Sequence, residues 1–280
     1  PNHYPAFNNC GSFAWNFTVF KTGNSTNKSI YVLFKDDDPF SVSGINICED
    51  CNVIKLDDYL PNGSDSYWTG WNDSYNIYSS TNAVPNSGIV KMYTQTRLKE
   101  TIEWAKKGIS ADSNKVYLTG ISHNAFGALI TSQLWPDMVT AVYAKNAPIL
   151  IKALNNSTRE EQWCNTSDNF DTDYIDPNTG IPIPVWKLFN MCHMYKVNTN
   201  RGGPFTAGIN GKQDVTVGWV QKFFWYDSLN ASRLGGAWYW DQRTHTNNGA
   251  KFTEDEVTPD YERFTLARSF PAFSYCTANQ

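Results

Sequence analysis

Hydrophobic and polar positions along the chain follow two rhythms. Residues 12–21 (SFAWNFTVFK) alternate apolar and polar side chains, the period-two pattern of a strand, and a polar turn follows. Residues 29–35 (SIYVLFK) and 52–56 (NVIKL) are more continuous apolar runs, as expected of strands buried on both faces. A loop at 62–86 carries Tyr67, Trp68, Trp71, Tyr75 and Tyr78. From 88 to 108 the rhythm becomes helical, with Val90, Tyr93, Leu98, Ile102 and Trp104 on one face.

The centre of the pattern is 115–148. Val116-Tyr117-Leu118-Thr119 reads as a buried strand. Gly120-Ile121-Ser122-His123-Asn124 follows with no room for a loop, and Ala125, Leu129, Ile130 and Leu134 then recur at helical spacing until Pro136 ends the helix. A second strand spans 139–144, so the unit is strand, sharp turn, helix, strand. Residues 149–203 form a polar, irregular insertion ending in a predicted helix at 185–195. A strand at 205–209, a Trp- and Phe-rich helix at 217–228 and a strand at 238–240 follow, before a polar C-terminal part. The alternation predicts one α/β domain over 1–280, an open and mostly parallel sheet with helices on both faces, and 149–203 as a cap or lid.

This order places chemistry at strand ends. A serine in a tight strand-to-helix turn projects above the sheet edge, where the following helix aims its amide donors. Gly120 and Ser122 fit the first two places of the G-x-S-x-G elbow, and Asn124 stands where the last glycine belongs. Asn is the non-glycine residue that best tolerates positive φ, so the turn remains available. An alternative reading is a serine capping an ordinary helix. Such a serine needs an imidazole to take its proton and a carboxylate to orient the ring. Asp214 follows the 205–209 strand and His245 follows the 238–240 strand, so both fall on the Ser122 edge. Asp241 is the rival carboxylate at a strand end, read as a loop anchor, while Asp168, Asp171 and Asp173 read as solvated loop. His3, His123 and His193 are the other histidines; His123 adjoins the serine and is read as a substrate or packing contact, and His193 as packing or a cap. Trp68 is the first choice among the aromatics for lining a substrate cleft.

The order Ser, Asp, His and the stretches VYLTGISHNAFGAL, INGKQDVTV and WYWDQRTH resemble the α/β-hydrolase superfamily over about 29–245, and more narrowly its secreted esterase and polyhydroxyalkanoate-depolymerase-like branch. The resemblance implies Ser122 as nucleophile, His245 as base and Asp214 as its orienting carboxylate. It implies one oxyanion donor from the backbone N–H of His123 and a second from the loop after the third strand. That loop is Lys35-Asp36-Asp37-Asp38, with the Asp36 backbone as the candidate and no HG motif.

Composition narrows the class. Of 280 residues 41% are hydrophobic and 18% charged, with net charge −4 and no basic run, which excludes a nucleic-acid reading. No apolar stretch reaches the roughly 18 residues of a membrane span. Sequons recur from Asn16 to Asn230, and six cysteines suit an oxidising compartment, so a secreted, extracellular or periplasmic protein is expected. The favoured pairings are Cys164 with Cys192, Cys10 with Cys276, and Cys48 with Cys51. No metal or cofactor is required, and Asp36 to Asp38 read as an exposed acidic turn before a calcium loop. The leading expectation is an esterase acting on a polyester or carbohydrate ester. A prolyl-oligopeptidase-type peptidase shares the triad order, although no propeller segment stands in these 280 residues. A catalytically inactive binding module is the third possibility, favoured by Asn124 and the missing HG.

Overall fold

The computed structural model describes residues 6–10, 13–21, 23, 26–35, 50–154 and 157–268. In chain order the strands are β1 (Phe17–Lys21), β2 (Ile30–Leu33), β3 (Asn52–Leu56), β4 (Trp71–Asn72), β5 (Val90–Lys91), β6 (Val116–Ile121), β7 (Ala141–Lys145), β8 (Asp171–Ile175), β9 (Pro182–Pro184), β10 (Phe205–Gly211) and β11 (Gly236–Asp241). The α-helices are α1 (Tyr93–Gly108), α2 (His123–Leu134), α3 (Ser157–Glu160), α4 (Val185–Leu188), α5 (Met191–Val197), α6 (Trp219–Ser232) and α7 (Glu254–Val257).

Seven strands make the main sheet, in the order β1-β3-β2-β6-β7-β10-β11. All its pairings are parallel except β1 with β3. Alternate residues of each strand feed two cores. Val32, Ile54, Leu118 and Val142 pack with Leu98 of α1, Leu129 of α2 and Trp225 of α6. On the other face Tyr31, Val53, Tyr117 and Ile209 pack with Val257 of α7 and Tyr261. The long helices thus share one face, and short α7 with the 261–264 turn covers the other. Burial on both sides explains why these strands read as apolar runs. A smaller sheet runs β4-β5-β8-β9. The 149–203 stretch supplies β8, β9 and α3 to α5. It reaches the main core through Trp163, Leu188, Phe189 and Met191.

Three departures from the expected elements have tertiary causes. The 88–108 helix starts only at Tyr93, because Val90 and Lys91 pair as β5 with β4 and β8. Met92 N–H donates to Asp173 Oδ1 at 2.9 Å, so Asp171 and Asp173 belong to β8 and not to a loop. The 185–195 helix is broken at Phe189–Asn190, where the backbone pairs with 149–151 through Ile151 N–H to Phe189 O and Met191 N–H to Ile149 O.

The expected Cys164–Cys192 bridge is not formed. Both are free thiols, as is Cys10. The Cys192 thiol turns to Ser228 on α6, and Cys164 lies against Phe170 and Trp186; burial raises both thiol pKa values. Cys51 is disulfide-bonded, with its partner outside the described residues. Cys48 and Cys276 also lie outside them, as do His3 and the Asp36–Asp38 turn.

Candidate active site

The C-terminal ends of β6, β10 and β11 meet on one rim, and each delivers one side chain. Ser122 leaves β6 with φ 60° and ψ −131°, a left-handed conformation that L-residues rarely adopt. Its N–H donates to Lys145 O at 2.9 Å, and its C=O accepts from Ala125 and Phe126 N–H, so turn and helix start lock together. Glycine is required at 120, because a Cβ there would stand 2.4 Å from Asn124 O. Gly127 is needed as well, since a Cβ there would stand 2.5 Å from the Trp68 ring. Asn124 is an ordinary helical residue, and Ser122 itself carries the positive φ.

His245 Nε2 lies 2.9 Å from Ser122 Oγ, and His245 Nδ1 lies 2.7 Å from Asp214 Oδ2. With the ring proton on Nδ1, the hydroxyl donates to Nε2 and the carboxylate accepts from Nδ1. Asp214 is buried, and its other oxygen accepts Thr216 and Val217 N–H, which fixes the carboxylate. The imidazole and the serine are half-buried. The three residues singled out in the sequence are therefore joined by hydrogen bonds, and the rivals stand elsewhere. Asp241 is clamped by Arg243 Nε and Nη2 at 2.8 and 2.9 Å and accepts Lys251 and Phe252 N–H. Burial raises its pKa, but these bonds outweigh it and hold the carboxyl well below the usual range. This clamp anchors the loop that carries His245. His193 is half-buried on α5, and burial lowers its pKa.

Two residues in the site's support were not read from sequence. Asn146, at φ 50°, donates from Nδ2 to His245 O at 3.2 Å and accepts Gly211 N–H. It ties β7 and β10 to the histidine loop; its position at a strand end was the available signal. Lys222 of α6 is fully buried, its Nζ has no hydrogen-bond partner among the described residues, and it feels the Asp214 charge.

Trp68 is not a cleft residue. It is fully buried, and its indole N–H donates to Asn124 Oδ1 at 2.6 Å, bracing the start of α2. Its loop is polar, but the ring points inward because Tyr67 and Trp68 both take positive φ, at 54° and 58°. Carboxylates hold this turn: Asp65 accepts Tyr67 N–H, and Asp58 accepts Trp68 N–H and the Ser66 hydroxyl. The Tyr67 ring lies 5.2 Å from the His123 ring and lines a small recess of about 20 Å³ with Ile151, Leu154, Arg159, Trp163 and Trp186. Asp58, Asp65 and His123 bring potential metal-ligand atoms within 4.8 Å of one another. Asp65 is already paired with Arg159 at 2.8 Å and Asp58 with the turn, so the carboxylates serve the fold. No helix among the described residues is long and apolar enough to cross a membrane.

No protein-family model matches the sequence, and no curated protein matches it. Solved structures do. The chain is similar to Porphyromonas gingivalis dipeptidyl peptidase 4, at 10% identity and TM-score 0.59, over 89% of this chain and 33% of that one. It is similar to an S-formylglutathione hydrolase from Agrobacterium tumefaciens, at 11% identity and TM-score 0.55, over 82% and 83%. Pyrococcus horikoshii acylaminoacyl peptidase gives 10% identity and TM-score 0.56, over 82% and 35%. The chain thus spans about one third of the length of the two peptidases. At these identities the likeness establishes the fold, which is that of the α/β-hydrolases.

Proposed function

We propose that this α/β-hydrolase fold is a secreted serine hydrolase of carboxylic esters. The observation that carries the reading is the unbroken hydrogen-bond chain from Ser122 Oγ through His245 to Asp214, at 2.9 and 2.7 Å. His245 Nε2 takes the hydroxyl proton as Oγ attacks the ester carbonyl. Asp214 holds the ring in the required tautomer and stabilises the imidazolium. The oxyanion forms at the start of α2, within reach of the His123 backbone N–H and the helix dipole. The Asp36 backbone is the proposed second donor. Imidazolium then protonates the leaving alcohol, and water, activated by the same ring, releases the acyl group from Ser122. A polyester or carbohydrate ester is the proposed substrate.

The test is turnover of p-nitrophenyl esters together with fluorophosphonate labelling. Wild type is expected to hydrolyse and be labelled. Ser122→Ala, with an unchanged melting profile, is expected to do neither. A wild-type chain that resists the probe would favour an inactive binding module. A peptidase reading draws support from the two peptidases of like fold. Turnover of aminoacyl-anilides in preference to matched esters would decide for it.

A further inference from the structure

Away from the triad, the sheet edge that is outermost among the described residues carries a second concavity. β11 is the outermost strand. Its Trp238, Tyr239 and Trp240, with Lys212, Gln242 and Lys251, line a groove of about 510 Å³. That volume lies within the roughly 300–1,000 Å³ of small-molecule sites.

The groove joins flat rings to positive charge that has no ion-pair partner among the described residues. Trp240 is 41% exposed, yet its ring is backed by Tyr226 and Trp219 at 5.6 and 6.4 Å, so it presents a fixed face. A ring of this kind has an electronegative face, which attracts the electropositive C–H side of a sugar. Lys212 and Lys251 form no ion pair among the described residues, and each ammonium stands 5.6 Å from the centroid of an aromatic ring, Trp219 and Phe252 respectively. The groove's own carboxylate, Asp241, cannot neutralise them, since both its oxygens are held by Arg243 and backbone N–H groups. The chain as a whole carries net charge −4, so this is a local reversal of sign. Gln242 adds an exposed amide for hydroxyl groups.

We propose that this groove binds an acidic oligosaccharide, with a sugar ring on Trp240 and its carboxylate or sulfate between Lys212 and Lys251. The two ammonium groups and the Gln242 amide beside flat rings suit a polyol acid better than the side chains of an added peptide strand, which a sheet edge also admits. Lys212 stands two positions before Asp214 and Gln242 three before His245. A glycan held here would therefore lie on the loops that deliver the triad. The site does not depend on the hydrolase reading, because binding needs no turnover.

Affinity electrophoresis of the full chain tests it, in native gels carrying polygalacturonate, a sulfated galactan or neutral dextran. Retardation is expected in the two acidic polysaccharides and not in dextran. Lys212→Gln/Lys251→Gln and, separately, Trp240→Ala are each expected to weaken binding by about tenfold. Both should leave p-nitrophenyl ester turnover within about twofold, since neither touches the triad. Absence of retardation overturns the proposal, as does retardation unchanged in the lysine variant, whose surface substitutions do not threaten folding. Retardation that survives Trp240→Ala at full strength signals plain ion exchange and overturns it too. So does displacement by an acidic peptide with no effect of trigalacturonate, which assigns the edge to a peptide strand.

Discussion

Ser122 is held at φ 60° by bonds on both sides of it, to Lys145 O before the turn and from Ala125 and Phe126 after it. The strain is tolerated because strand, turn and helix over-determine the position. Asp214→Asn should leave the fold intact but present an amide to His245 Nδ1, favouring the wrong tautomer. Its kcat on a soluble ester is expected to fall roughly 10⁴-fold, with KM little changed, in steady-state kinetics. Gly120→Ala is expected to give no active folded enzyme, because backbone atoms of Asn124 and Ala125 crowd the new Cβ at 2.4 to 2.8 Å and cannot move without shifting α2. Near-wild-type activity in soluble Gly120→Ala would contradict this geometry.

Two segments carry buried titratable groups, and each predicts a pH dependence of stability. In the turn behind α2, burial and the neighbouring Asp65 charge push the Asp58 carboxyl up to about 7. Its folded pKa exceeds its unfolded one, so the stability it contributes is full below about 4 and is lost as pH rises through about 7. Asp58→Asn is expected to reduce the fall in melting temperature between pH 5 and pH 8; an identical fall in both proteins would refute the assignment. Lys222 on α6 has the opposite sense. Burial pushes its amine down to about 7, so the stability it contributes is full above about 10.5 and is lost as pH falls through about 7. Lys222→Met is expected to stabilise the fold by roughly 1–3 kcal/mol at pH 5, by removing an unpaired buried ammonium, and by less at pH 9, as read from urea midpoints.

At the scale of the molecule, a parallel sheet with reversed strand order around β2 and β6 brings side chains 92 and 123 positions from Ser122 to one rim. Thiols give a check on the whole chain. Cys10, Cys164 and Cys192 are free, so Ellman titration of the unreduced, guanidine-unfolded protein should report at least three thiols per chain. Fewer would restore a bridge among them. Cys164 and Cys192 lie in one segment of the chain yet stay unpaired, since the helix breaks at Phe189–Asn190 and the Cys192 thiol turns toward Ser228.

The sequence by itself determined the strands of the main sheet, the elbow at Ser122 and the order in which Asp214 and His245 follow. These depend on local periodicity and on strand direction, which short stretches of chain encode. Only the tertiary structure decided that Trp68 is a buried brace, that Val90 leaves its helix for β5, and that Asn146 ties down the histidine loop. Each of those outcomes depends on partners tens of residues away, and packing against them overrides the preference of any single segment.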